Sequence, residues 1–88
     1  MLTLTKAAGG YLTRLLDEAH APDGTALRIV KDEEHLRPRL DTPKPGDLVF
    51  DHAGRKVLLL DPSVSSMLTA SHLDVERTER GEKLIIVH

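Results

Sequence analysis

The segment Lys56-Val57-Leu58-Leu59-Leu60-Asp61-Pro62-Ser63-Val64 decides the fold, because it contains the clearest strand-to-helix transition in the chain. Its apolar run has the length of a buried strand and ends at Leu60. Asp61 suits a helix N-cap, and Pro62 suits the first helical position, where its missing amide costs nothing. A short helix of one or two turns is therefore predicted after Leu60, with an apolar face formed by Val64, Met67 and Leu68.

Hairpins flank this segment on both sides. Leu48–Asp51 forms a strand that a turn at His52–Arg55 joins to the segment above. Beyond the helix, His72–Thr78 alternates polar and apolar residues, and Lys83–Val87 returns after a turn. From Leu84 onward, this last strand is apolar on both faces. We therefore expect it in the middle of a sheet or under a helix.

The first part of the chain predicts an edge strand and one helix. Met1–Leu4 is the strand, and the helix runs from an N-cap at Thr5 to about His20, with one apolar face at the 3.6-residue period. Gly9 and Gly10 are unusual there, since each costs about 1 kcal/mol relative to Ala in a helix interior. Two interpretations stay open. Either the two glycines are tolerated because they lie near a frayed end of the helix, or another backbone approaches the helix closely at this point.

A second strand pair is predicted between the helix and the first hairpin. Ala26–Lys31 is a strand in which apolar residues alternate against Arg28. Asp32–Leu36 is a polar break, and the residues from Leu36 to Asp41 suit an edge strand, where a proline is tolerated because one row of amides is unpaired. Thr42–Asp47 is a stiff, proline-containing connector that is too short to link two domains.

Together these elements follow the order β-α-β-β-β-β-α-β-β. This order predicts an α+β fold of about seven short strands in antiparallel or mixed sheets, with one N-terminal helix and one short second helix. With 88 residues, the chain fits a single domain spanning residues 1–88. Such a small core gives modest stability, and covering a sheet edge would add to it, so self-association is expected.

The composition excludes several classes of function. The chain contains no cysteine, which excludes disulfides, thiol nucleophiles and any metal or cluster held on thiolates. A net charge of -2 gives no attraction to nucleic acid or anionic lipid, and 2% aromatic residues offer few platforms for base stacking. We find no signal peptide and no apolar stretch of about 20 residues, so we expect a cytoplasmic protein that does not bind membranes.

The most polar segment is the one candidate for a metal site. Asp32, Glu33, Glu34 and His35 could bind a hard divalent ion, because such ions prefer oxygen ligands. The alternative is a solvated turn, which the sequence favours because the ligand spacing and the glycine of a calcium loop are both missing. No nucleophile elbow and no phosphate-binding loop is present, so we expect neither an enzyme nor a bound cofactor.

Short signatures spread over nearly the whole chain resemble one known family in their joint order and spacing. These signatures are Leu2–Ala8, Pro22–Gly24, Leu27–Ile29, Lys44–Asp47, Leu60–Ser63 and Leu73–Val75. The chain resembles the HesB/IscA family, the A-type iron–sulfur cluster carriers. The resemblance implies the HesB-like fold and dimers or larger assemblies.

The departures from this family fall where its chemistry lies. The family carries a Gly-Gly-Cys-Ser-Gly-like loop with a cluster ligand where this chain has Lys31-Asp32-Glu33-Glu34-His35-Leu36. The family's Cys-Gly-Cys tail is also missing, since the chain stops at His88. His35 could supply at most one ligand, so the resemblance carries over the fold and no ligand residue.

Two hypotheses of function follow from this comparison. The first is a cysteine-less, non-enzymatic binding or accessory module related to iron–sulfur cluster assembly, which docks onto protein partners or onto itself. The second is a repurposed domain that binds a divalent metal or a small ligand through Asp32–His35.

Overall fold

A computed structural model describes residues 2–32, 35–68 and 70–87, apart from the side chains of Asp32, His35 and Leu36. These residues form two helices and seven strands, in the order that the sequence predicts. The elements are β1 (Thr3–Leu4), α1 (Lys6–Glu18), β2 (Ala26–Asp32), β3 (His35–Asp41), β4 (Leu48–His52), β5 (Arg55–Leu60), α2 (Pro62–Met67), β6 (His72–Thr78) and β7 (Gly81–Val87). The predicted α+β class is therefore confirmed.

The strands form two mixed sheets. One has three strands in the order β1-β6-β7, and the other has four strands in the order β3-β2-β5-β4. Three antiparallel hairpins, β2–β3, β4–β5 and β6–β7, supply most of the pairing. The parallel pairs β1–β6 and β2–β5 complete the sheets. The predicted edge positions of β1 and β3 are confirmed by this order.

Helix α1 joins the two sheets through the core. It packs against β6 of the first sheet and against β2, β4 and β5 of the second. Leu12 and Leu16 on its apolar face are fully buried, as are Ile29, Leu58 and Leu73 from the strands. Burying side chains of this size stabilises the fold by roughly 1.5–3 kcal/mol each. Among the described residues, no helix is long and apolar enough to span a membrane.

The N-terminus of α1 is fixed by a threonine that serves two elements. The Thr5 hydroxyl accepts a hydrogen bond from the Ala8 amide at 3.1 Å, which confirms the predicted N-cap. The same hydroxyl donates to Asp74 Oδ1 at 3.0 Å, so it also ties the helix to β6. These two bonds hold the N-terminus of α1 against the three-stranded sheet.

The helix ends at Glu18, earlier than the sequence predicts. His20 has a left-handed φ of 53°, and the amide of Ala21 returns to the carbonyl of Leu16 at 3.0 Å. This is the pattern of a Schellman cap, which usually places glycine at the left-handed position. The periodic apolar face alone cannot reveal this ending, because the terminating residue here is a histidine.

Strand β7 lies at the edge of its sheet, so the first of its two predicted positions, the middle of a sheet, is wrong. The other predicted position, under a helix, agrees with the contacts of Tyr11 and Arg14 of α1 with Glu82. Strand β6 takes the middle place, because β1 pairs with its other side. Leu84 and Ile86 pack against the core, whereas Ile85 lies on the opposite face by strand alternation. All residues of Leu84–Val87 are half-buried.

Another part of the chain approaches Gly9 closely, which explains the missing side chain there. The neighbour is the side chain of His52 and not a second backbone. A Cβ at position 9 would clash with the imidazole of His52, lying 2.7 Å from Cγ and 2.9 Å from Cε1. A Cβ at Gly10 would meet nothing within 4 Å. The ring of His52 thus fills the place that a side chain at position 9 would occupy, while Gly10 is open.

These two glycines give a matched stability test. Gly10→Ala should raise the free energy of unfolding by up to about 1 kcal/mol, because alanine favours the helix. Gly9→Ala should lower it, since overpacking of about 1–3 kcal/mol outweighs that gain. Urea unfolding followed by circular dichroism measures both changes. In a His52→Ala background the two substitutions should become alike, and equal stability of the single variants would refute the clash.

Candidate functional site

The most strongly coupled charges of the described residues surround an arginine in β2. Arg28 is only 8% exposed, although the alternation of its strand predicts a residue facing solvent. Its Nε lies 2.7 Å from Asp41 Oδ2, and its Nη1 and Nη2 lie 2.8 and 2.6 Å from the two oxygens of Asp47. The second pair is a bidentate arrangement, the strongest type of arginine–carboxylate contact. We call Arg28, Asp41 and Asp47 the arginine clamp.

The arginine clamp fixes the connector between β3 and β4. Asp41 is the last residue of β3, and Asp47 directly precedes β4. Arg28 Nη2 also donates to the carbonyl of Thr42 at 3.4 Å, and the amide of Lys44 donates to Asp47 Oδ2 at 2.7 Å. One side chain of β2 therefore holds both ends of a segment that has no helix or strand of its own.

Sequence reasoning overlooked this cluster, although a signal for it is present. An arginine inside an otherwise buried strand needs charged partners, because burying an unpaired charge is very unfavourable. The two aspartates on either side of the proline-containing connector are the obvious candidates. The sequence predicts Thr42–Asp47 only as a stiff connector and does not reveal that the Asp47 carboxylate binds Arg28.

The protonation states show that the clamp is structural. Hydrogen bonds from Arg28 lower the pKa of Asp41 and of Asp47 to about 2 each, with a further contribution from the backbone amides of Thr42 and Lys44. The same bonds raise the pKa of Arg28 above its usual value. All three groups are charged at neutral pH and are bound to one another, so they are unsuited to proton transfer.

The predicted polar break at Asp32–Leu36 is wrong for most of its length. Strands β2 and β3 stay paired through Lys31 and Leu36 to Asp32 and His35, because backbone hydrogen bonding continues regardless of side-chain polarity. The candidate ligands Glu33 and Glu34 lie outside the described residues. The structure therefore makes Asp32 and His35 cross-strand partners at the end of the hairpin.

This end of the hairpin extends beyond the rest of the sheet. Strand β2 pairs with β5 only at Leu27 and Arg28, whereas it pairs with β3 along its whole length. Lys31 and Arg37 on the extension are exposed. We call residues 30–37 the hairpin arm, and the arginine clamp lies at its base.

The other candidate ligands are spread over the molecule. Within the described ranges, no three side chains of His, Asp or Glu are grouped so that they could hold a metal ion. Asp61 caps α2 by accepting the Val64 amide at 2.9 Å, as the sequence predicts. His52 packs on Gly9. The metal site proposed for Asp32–His35 remains a prediction.

Three solved structures share this architecture. SufA from Escherichia coli, described as involved in the biosynthesis of iron–sulfur clusters, gives a TM-score of 0.71 at 24% identity over 97% of this chain and 82% of its own. IscA with a 2Fe–2S cluster gives 0.64 at 22% identity, over 98% and 83%. A protein from Aquifex aeolicus, solved by NMR, gives 0.69 at 22% identity, over 99% and 90%.

These similarities establish the fold and confirm the architecture that the resemblance implies. No protein-family model matches the chain, and no curated protein sequence matches it. The likeness therefore lies in the arrangement of the elements and extends over nearly the whole chain.

The arginine clamp predicts a characteristic dependence of stability on pH. A carboxylate whose pKa is lowered in the folded state stabilises the protein above its unfolded pKa of about 4, and this stabilisation is lost as the pH falls through the folded value. For Asp41 and Asp47 the folded value is about 2, so stability should fall between about pH 4 and pH 2.

Asp47→Asn should lower stability at pH 7 and reduce its loss between about pH 4 and pH 2, because one of the two titrating partners is gone. Urea midpoints measured across this range test the prediction. Asp51→Asn is the control, since Asp51 is an exposed carboxylate on β4. An unchanged pH slope in Asp47→Asn would show that Asp47 does not titrate with folding.

Proposed function

We propose that this chain, which has the fold of the SufA and IscA carriers, is a non-enzymatic accessory module of iron–sulfur cluster assembly. It acts as a single domain that binds proteins of that system and holds no cluster on thiolates. We expect it to act in the cytoplasm, on proteins and not on nucleic acid or membranes, because a net charge of -2 gives no attraction to polyanions.

The observation that carries this proposal is a carrier fold without thiols. IscA is described with a 2Fe–2S cluster and SufA with a role in cluster biosynthesis, and this chain matches both over nearly its full length. Iron–sulfur clusters are held chiefly by cysteine thiolates, and the sequence contains no cysteine. In the family that the chain resembles, the first cluster ligand lies in the loop that corresponds to Lys31–Leu36 of this chain. Here Lys31–Leu36 contributes to the hairpin arm.

The charged groups of the structure support binding over catalysis. The most displaced pKa values belong to the arginine clamp, whose members are committed to one another. Asp74 has a lowered pKa because it accepts hydrogen bonds from the Val75 amide and the Thr5 hydroxyl. Catalytic acids and bases instead need pKa values near the working pH, so these groups fit a structural role.

A second candidate function is binding of a divalent ion by the hairpin arm. The strand register supports it, because Asp32 and His35 are cross-strand partners on either side of Glu33 and Glu34. A hard cation would suit the carboxylates, and imidazole is a common additional ligand.

Metal loading distinguishes the two functions. The purified protein is incubated anaerobically with ferrous iron and sulfide, and separately with Mn²⁺, then desalted for absorption spectra and metal analysis. SufA is loaded in parallel as the positive control. We expect SufA to become coloured, while this protein stays colourless and retains no iron.

The binding role is tested with IscA carrying its cluster as the probe. Analytical ultracentrifugation should show a complex between the two proteins, with the cluster absorbance remaining on IscA. Absence of a complex would contradict the accessory role. A coloured product from this chain alone would refute the claim that it holds no cluster.

Retention of one Mn²⁺ per chain would favour the second candidate if the triple variant Glu33→Ala, Glu34→Ala, His35→Ala abolishes it. A matched control replaces two carboxylates and one imidazole elsewhere, in the variant Glu18→Ala, His20→Ala, Glu79→Ala. Equal loss of Mn²⁺ in both variants would show that the ion does not bind at the arm.

A further inference from the structure

A cleft of about 620 Å³ lies between the turn from α1 to β2 and the turn from β4 to β5. Its lining consists of Asp17 in the last turn of α1, residues 22–25 of the first turn and residues 54–56 of the second. The volume lies within the range of about 300–1,000 Å³ that is typical of small-molecule sites. No residue of the arginine clamp or of the hairpin arm lines this cleft, so it is a separate feature of the fold.

Hydrogen bonding and turn geometry hold both walls of the cleft in place. The amide of Thr25 donates to the carbonyl of Pro22 at 3.1 Å, which closes the first turn. Ala53 and Gly54 have left-handed φ values of 52° and 79°, as the two central residues of a type I′ hairpin turn do. A site whose walls are already ordered loses less conformational entropy when a ligand binds.

One ion pair joins the two walls. Arg55 Nη1 lies 2.7 Å from Asp17 Oδ1. Because Asp17 belongs to α1 and Arg55 is the first residue of β5, this pair holds the end of the helix next to the hairpin turn. The two charges satisfy one another, which leaves the other charges of the cleft for a ligand.

The other charges of the cleft are one carboxylate and one ammonium group. Asp23 lies in the first turn and Lys56 follows Arg55 in β5, and both residues are exposed. Neither forms an ion pair within the part of the chain that the structure describes. A Cβ added at Gly24 or at Gly54 would meet nothing within 4 Å, so the space beside both turns is open to a ligand.

We propose that this cleft binds a ligand that carries one ammonium and one carboxylate group, the chemistry that a free α-amino acid shares with a short peptide. The ammonium group pairs with Asp23, and the carboxylate pairs with Lys56. The inference goes beyond the accessory role proposed above and does not depend on it, because it involves neither the hairpin arm nor a cluster.

The charges of the cleft select against a ligand of a single sign. A plain anion would meet Lys56, but it would also face the carboxylates of Asp17 and Asp23 in the same cleft. A plain cation would face Arg55 and Lys56 in the same way. Like charges brought together oppose binding, whereas a ligand with both charges finds a partner for each. Both contacts are then charge-assisted hydrogen bonds, which are stronger than neutral ones.

Triglycine is the probe, and its two blocked forms isolate the two contacts. N-acetyl-triglycine lacks the ammonium group, and triglycinamide lacks the carboxylate. Titrations followed by heteronuclear NMR give the dissociation constants. We expect triglycine to shift the amide signals of Gly24, Thr25 and Gly54, and each blocked form to bind more weakly by about tenfold or more.

Glycine, titrated in parallel, distinguishes the two sources of this chemistry. Binding of glycine as tight as that of triglycine would support the proposal and identify a free amino acid as the ligand. Tighter binding of triglycine would support it and identify a peptide.

Two substitutions test which residue meets which charge. Asp23→Asn should weaken the binding of triglycine but not of N-acetyl-triglycine, because that ligand has no ammonium group. Lys56→Met should weaken the binding of triglycine but not of triglycinamide. Glu79→Gln and Lys6→Met are the matched controls, since they remove one carboxylate and one ammonium group at exposed positions outside the cleft. Both controls should bind triglycine like the wild type.

The proposal is overturned if neither triglycine nor glycine shifts the amide signals of the two turns. Equal affinity for triglycine and its blocked forms would also overturn it, as would an equal weakening in the control variants. The wild-type titrations need no substitution, so they remain decisive if a variant fails to fold. No metal or cluster enters these measurements, so they can fail while the iron-loading experiment succeeds, and the reverse also holds.

Discussion

A guanidinium can be buried in a strand only where carboxylates meet it, and the position of Arg28 constrains much of the four-stranded sheet. Asp41 and Asp47 lie at the two ends of the connector from β3 to β4, and both bind the same arginine. Strand β2 therefore fixes where β3 ends and where β4 begins. Strand β4 in turn pairs with β5, which lies between β4 and β2. One ion cluster thus links the two hairpins of this sheet, in addition to the β2–β5 pairing.

The same constraint fixes the base of the β2–β3 hairpin. At Arg28 the hairpin is paired with β5 and clamped to the connector, while beyond it only β2 and β3 pair with each other. The substituted segment Lys31–Leu36 contributes to this extension. The chain shares the architecture of SufA and IscA and contains no cysteine.

The three-stranded sheet is organised differently, since helix α1 and not an ion cluster holds it. Helix α1, with Leu12 and Leu16 fully buried, packs against both sheets, and Thr5 bonds to Asp74 of β6. Tyr11 and Arg14 of α1 contact Glu82 at the start of β7, and Leu84 and Ile86 of the same strand pack against the core. The edges of the two sheets also differ in composition: β3 and β4 carry charge, proline and an irregular register, whereas Leu84–Val87 of β7 is apolar.

The sequence alone determined the order and type of every element, because local signals specify them. The apolar run ending at Leu60, the caps at Thr5 and Asp61, and the alternation in β6 depend only on neighbours along the chain. Tertiary structure alone decided that β6 and not β7 is central, why a side chain at Gly9 would clash, and where Arg28 finds its partners. Each of these depends on residues distant in sequence: β1 displaces β7 to the edge, His52 covers Gly9, and the connector brings two aspartates to Arg28. A linear pattern records the polarity of a residue, whereas its burial is set by contacts that only the folded chain creates.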